Sequence, residues 1–115
     1  MSHSLADDND DERLRLASKF ARTLLSDGRY GEAEELFVEV METRKRVLGD
    51  EHPHTLSSMA NLAATYWNQG RWNEAEKLEV QVMETTKRVL GDEHPDTLTS
   101  MANLASTYRL SLIHI

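Results

Sequence analysis

The sequence predicts an all-α fold, a solenoid of stacked helical hairpins, and three observations carry that prediction. The segment Gly28–Trp67 recurs as Gly70–Arg109, an offset of 42 residues, with 30 of the 40 aligned positions identical. A period in this range marks architectures in which each unit buries its apolar face against the next one. Within each unit apolar residues recur at spacings of three and four, and no useful length alternates with period two. Glycines and prolines punctuate the periodic runs where helices stop and start.

Shifting the repeat back once more aligns Phe20-Ala21-Arg22-Thr23 with Leu62-Ala63-Ala64-Thr65, so a divergent copy begins near Asp11. The chain thus holds about two and a half units, near 11–52, 53–94 and 95–109, with five helices near 11–27, 31–48, 54–69, 72–90 and 96–110. Residues 1–10 are expected as a flexible acidic tail ahead of the first helix. The second helix follows Gly28 and ends in Lys45 and Arg46, which suit the negative end of the helix dipole. Glu42 lies three and four residues before that pair and adds modest surface pairing.

In the third helix Leu56, Met59, Leu62, Ala63 and Tyr66 fall on one face. Pro53 opens it, where a missing N–H does no harm, and Asn68-Gln69-Gly70 closes it. The fourth helix carries Trp72, Ala75, Leu78, Val82 and Val89 and stops at Leu90-Gly91-Asp92. Pro95 opens the fifth. Small residues mark close helix approaches, Ala63 and Ala105 in first helices, Ala33 and Ala75 in second ones. Tyr30, Tyr66, Trp72 and Tyr108 are expected to fill the gaps between helices. After Arg109 the repeat predicts a turn and another helix, but residues 110–115 read Leu-Ser-Leu-Ile-His-Ile. That apolar tail breaks the pattern and reads as a truncation or vector-encoded sequence.

Composition narrows the function. The 115 residues carry a formal charge of −7, which argues against a phosphate-binding surface over the whole molecule. There are no cysteines, so disulfides and thiolate chemistry are excluded. No apolar run reaches the roughly 20 residues that span a bilayer, and the N-terminus lacks a secretory signal's apolar core. A cytoplasmic protein with neither nucleic-acid nor membrane partners is the expectation.

Catalytic and metal motifs fare poorly. A calcium loop counted from Asp7 needs glycine sixth and glutamate twelfth, and those positions are Glu12 and Ser18. His52 and His54 lack a sequence-placed third ligand for zinc. His52 and its match His94 are expected to pack against the turn before each first helix. Glu32 and Glu34, like Glu74 and Glu76, stand two apart on a helix and face different ways. There is no glycine-rich phosphate loop and no glycine-flanked nucleophile with a histidine and an acid. The expectation is a non-catalytic protein without cofactor or metal.

The motifs Asn61-Leu62-Ala63 with Tyr66, Gly70, Trp72, Glu74-Ala75-Glu76 and Leu90-Gly91-Asp92-Glu93-His94-Pro95-Asp96-Thr97 carry a family resemblance. The preceding copy matches at Gly28, Tyr30, Glu32-Ala33-Glu34 and Leu48-Gly49-Asp50-Glu51-His52-Pro53. Together they resemble a tetratricopeptide repeat of the 42-residue kind found in kinesin light chains, over roughly residues 13–109. The high identity between copies also resembles arrays attached to fungal and bacterial nucleotide-binding sensor proteins.

The resemblance implies a right-handed superhelix whose first helices line a concave groove for a peptide or helix of a partner protein. Carried over by position, the groove includes Ser57, Ala60, Asn61, Ala64, Trp67 and Asn68. In the next unit it includes Thr99, Ala102, Asn103, Ser106 and Arg109. Asn61 and Asn103 resemble an asparagine ladder that holds a ligand's backbone, a task suited to an amide's donor and acceptor.

In the first unit Arg15, Lys19 and Arg22 replace Ser57, Asn61 and Ala64, so that face is basic. It reads either as a pocket for an acidic ligand or as a polar N-terminal cap. Phe37, where the next copy has Glu79, reads as a packing adjustment to this different first helix. A second functional reading is self-assembly, with uncapped, near-identical repeat ends docking as homo-oligomers or swapping helices.

Overall fold

The computed structural model describes residues 2–113, and every regular element in it is a helix: α1 (Ser2–Ser26), α2 (Tyr30–Leu48), α3 (Pro53–Asn68), α4 (Trp72–Leu90) and α5 (Pro95–Ile113). Packing runs almost wholly between helices adjacent in sequence, with one lighter contact from α1 across to α3. The result is a slab of 54 × 35 × 19 Å, a solenoid of two to three repeats.

The junctions follow from local chemistry. At Gly28 (φ +81°) the N–H of Arg29 donates to the Leu24 carbonyl, and at Gly70 (φ +77°) the N–H of Arg71 donates to that of Tyr66, each 2.9 Å. These are helix stops in which a left-handed glycine lets the chain double back onto its own last turn. At the other end of each unit Pro53 and Pro95 occupy first helical positions. The histidine before each proline does more than pack. His52 Nδ1 accepts from the His54 N–H at 3.0 Å, and His94 Nδ1 accepts from the Asp96 N–H at 3.1 Å. Each ring therefore caps the helix that follows.

The core is built from the matched small and large residues. Ala21, Leu24, Ala33, Phe37 and Leu62 form one buried cluster, with Leu25, Leu36, Val38, Met41, Tyr66 and Leu78 packed around it. Phe37 is fully enclosed and shares that cluster with Ala21 and Leu24 of α1, the packing its replacement of a glutamate anticipated. Between units, Arg71 joins Glu34 at 2.7 Å, grips Glu74 through Nε and Nη2 at 2.7 and 2.6 Å, and stacks 4.3 Å over the Tyr66 ring.

Several expectations are corrected. α1 begins at Ser2, ahead of the helix start expected near residue 11, with no glycine or proline before Gly28 to interrupt it. Residues 110–113 likewise continue α5 beyond its expected end, for want of a stop signal. Ala105 and Tyr108 do not fill a helix interface. They are exposed, since the faces of α3 that bury Ala63 and half-bury Tyr66 lie against α4, and no helix covers the corresponding face of α5 among the described residues.

Candidate functional site

Between α3 and α5, with α4 as its floor, runs an open groove made of two adjoining hollows. One, of about 320 Å³, is bounded by Leu56, Ser57 and Ala60 of α3, Val82, Thr86, Val89 and Leu90 of α4, and Thr99, Ser100 and Asn103 of α5. The other, of about 240 Å³, is bounded by Ala60, Ala64, Trp67, Glu79, Asn103 and Ser106. Ala60 and Asn103 border both, which makes the groove continuous. The structure therefore brings together Ser57, Ala60, Ala64, Trp67, Thr99, Asn103 and Ser106 of the residues expected from the sequence.

The remaining candidates sit elsewhere. Asn61 is half-buried on α3 and borders neither hollow; its carbonyl accepts from Thr65 Oγ1. Among the described residues the Asn61 and Asn103 amides have no side-chain hydrogen bond. Asn68 is committed internally, its Nδ2 donating to the Ala64 carbonyl at 2.8 Å near the end of α3. Arg15, Lys19 and Arg22 are all exposed on α1, and Arg15 lies 3.6 Å from Glu12.

Two charged residues of the second helices were missed by sequence reasoning. Glu79 is on the groove floor, and its carboxyl is pushed up from the ordinary range, first by burial and further by Glu76, against a hydrogen bond from Thr107. A signal for it existed: Ala75, Glu79, Val82 and Thr86 share one stripe, so this carboxylate occupies a position otherwise buried. Arg44 is only 5% exposed and donates from Nη1 to Ser58 Oγ at 2.9 Å, while its Nε is enclosed without a partner. Burial pulls its pKa down; Asp11 opposes the shift and Arg22 adds to it. Its match in the next unit is Thr86, which gives no hint of a charge there.

His52 and His54 meet edge to face with ring centres 5.0 Å apart, and His54 Nδ1 lies 3.7 Å from Asp11. Among the described residues no three His, Asp or Glu side chains are grouped to hold a metal ion. None of the described helices is long and apolar enough to cross a membrane.

A family model described as tetratricopeptide repeat matches residues 13–54 and 55–96, and the chain belongs to that family. Its fold is that of a scaffold for protein–protein interaction. Among solved structures the chain is similar to a Podosopora anserina protein assigned to the kinesin light chains, with nearly identical TPR-like repeats. Identity is 35% with a TM-score of 0.79, over 86% of this chain and 47% of that one. A single-substitution variant of the same protein matches equally. BtubC (BKLC) from P. vanneervenii shares the fold, with a TM-score of 0.76 at 20% identity over 84% of this chain and 38% of that one. The chain thus spans less than half the length of each. No curated protein sequence matches it.

Proposed function

We propose that the chain is a non-catalytic scaffold that binds a peptide or helix of a partner protein along the faces of α1, α3 and α5. The observation that carries this reading is the continuous α3–α5 groove bordered by Asn103, an amide with no hydrogen bond of its own among the described residues. Asn61 is the equivalent residue one unit earlier, and by that equivalence we assign it the same role toward the ligand in its own unit. Arg15 and Arg22, matched by the repeat to groove residues Ser57 and Ala64, are exposed on α1 and are the proposed basic contacts of the first unit. Trp67, 38% exposed, adds a residue type enriched in binding hot spots.

The test is selection of peptides from a random display library on the full chain, followed by binding to an Asn61→Ala/Asn103→Ala variant. Loss of about tenfold or more in affinity, with an unchanged melting temperature, supports the reading; each lost amide contact contributes about 1 kcal/mol. Global unfolding of the double variant assigns the asparagines to structure instead.

A second reading, association of two copies through α5, rests on its exposed Leu98, Tyr108, Leu112 and Ile113. Absolute mass by light scattering over a wide concentration range tests it. A rising mass that Leu98→Glu/Tyr108→Glu abolishes supports this reading, and a constant monomer mass rejects it.

A further inference from the structure

The α3–α5 groove contains a charge that packing alone does not call for. Glu79 stands in the apolar stripe of α4 between Ala75 and Val82, under the recess formed by Ala60, Ala64 and Trp67 of α3 with Asn103 and Ser106 of α5. Its Oε1 is enclosed and accepts no hydrogen bond among the described residues. A hydrogen bond from Thr107 relieves the group in part, but the charge that acts on it is Glu76, of the same sign. A half-buried carboxylate in that situation is costly unless something pairs with it. The preceding unit shows the alternative: Phe37 fills the matching position and is fully buried.

The rest of the recess complements a cation. Trp67 offers an aromatic ring, whose negative face attracts ammonium and guanidinium groups. The Asn103 amide oxygen and the Ser106 hydroxyl can accept the remaining N–H bonds. Ala60 and Ala64 leave a smooth wall along which an aliphatic stem can lie.

We propose that this recess is a subsite for one basic side chain, lysine or arginine, of the bound polypeptide, with Glu79 as its counter-ion. The proposal rests on the groove being the ligand surface and names the chemistry that one step of it selects. At the matching position of the preceding unit the fully buried Phe37 stands in place of the carboxylate, so the counter-ion is not repeated there. A ligand running along both units therefore carries its basic residue toward the α5 end.

The probe is N-acetyl-arginine amide, compared with N-acetyl-citrulline amide, which has nearly the same shape and no charge. Each is titrated into the isotopically labelled full chain while the Trp67 indole and Asn103 side-chain amide resonances are followed. The expected result is saturable movement of both signals with the arginine probe and about tenfold weaker binding of citrulline. A loss of similar size is expected for the arginine probe on Glu79→Gln, along with weakening by added salt. Equal response to the two probes, no movement at Trp67 and Asn103, or unchanged arginine binding in Glu79→Gln overturns the subsite.

Library-selected peptides separate the two readings. Peptides that depend on Asn61 and Asn103 but lack an enriched basic residue and ignore Glu79→Gln sink the subsite and leave the groove standing. Arginine binding that needs Glu79, with peptides indifferent to the asparagines, upholds the subsite and rejects the asparagine-lined groove.

Discussion

Arg44 of α2 is tied to Ser58 of α3 by a buried hydrogen bond of 2.9 Å, and the same Nη1 reaches the His54 carbonyl at 3.4 Å. This arrangement exists only in the first unit, because the next unit has Thr86 there, whose hydroxyl bonds back to Val82. A buried guanidinium with an enclosed, unpartnered Nε is held by incomplete pairing, which makes the interface sensitive to loss of any acceptor.

Ser58→Ala is expected to destabilise the chain by about 1–3 kcal/mol, since it strips an acceptor from a buried charge. Arg44→Met is expected to cost far less, or to stabilise, because charge and acceptor demand leave together. In Arg44→Met the Ser58→Ala penalty should shrink. Urea unfolding of the four-member cycle measures this directly, and strict additivity would refute the coupling.

Two glycines make opposite predictions from the same substitution. Gly49 has φ +95° and ψ 165°, a region open essentially to glycine alone, although nothing lies within 4 Å of an added Cβ. Gly49→Ala is therefore expected to cost about 1–3 kcal/mol through backbone strain alone. Gly31 is helical with equally open space around it, so Gly31→Ala should gain about 0.5–1 kcal/mol. Thermal melts of the two variants should move in opposite directions.

The two shifted carboxylates of α4 bend the pH dependence in opposite senses. Hydrogen bonding to Arg71 holds the Glu74 carboxyl below its usual range, so its contribution is present above the unfolded pKa and is lost as pH falls through the folded one. Burial raises Glu79, so its contribution is present in acid and is lost as pH rises through the folded pKa. At pH 7 Glu74→Gln should therefore lower the urea midpoint and Glu79→Gln should raise it. Both differences should fade below the carboxylate range. Effects of equal size at pH 7 and in acid would contradict the assignment.

His52 and His94 cap α3 and α5 through Nδ1, which requires the ring proton on Nε2. Replacing either by alanine should cost about 0.5–2 kcal/mol, the usual range for an N-cap. Asparagine, which caps through a side-chain oxygen, should restore most of the loss in a thermal melt.

The fold was legible because each of its rules is local. Three-and-four spacing, Pro53 and Pro95, and the glycines at 28, 49, 70 and 91 act within a few residues of themselves, and the repeat states each of them twice. The α3 and α5 faces of the groove were legible for the same reason, since α3 and α5 obey one pattern. The floor was not, because it belongs to α4 and shows only when three helices are placed together. The repeat pairs Glu79 with Phe37, and of the two it is the glutamate, in a stripe otherwise buried, that is costly to place. Arg44 was hidden for a different reason, as arginine near the end of a helix ordinarily serves the dipole in solvent. α1 starts before and α5 ends after the bounds that the repeat predicts, because no glycine or proline stops either helix there.

Packing that passes almost wholly from each helix to the next has a mechanical consequence. No tie closes the stack on itself among the described residues, so the molecule deforms as a spring does, by small rotations shared among its successive interfaces. The separation of α3 and α5 is then set by the seating of α4 between them, and a ligand lodged in the groove acts on that seating. Its binding should stiffen the α5 end first, leaving the amides of α1 to exchange with solvent at nearly their unliganded rates.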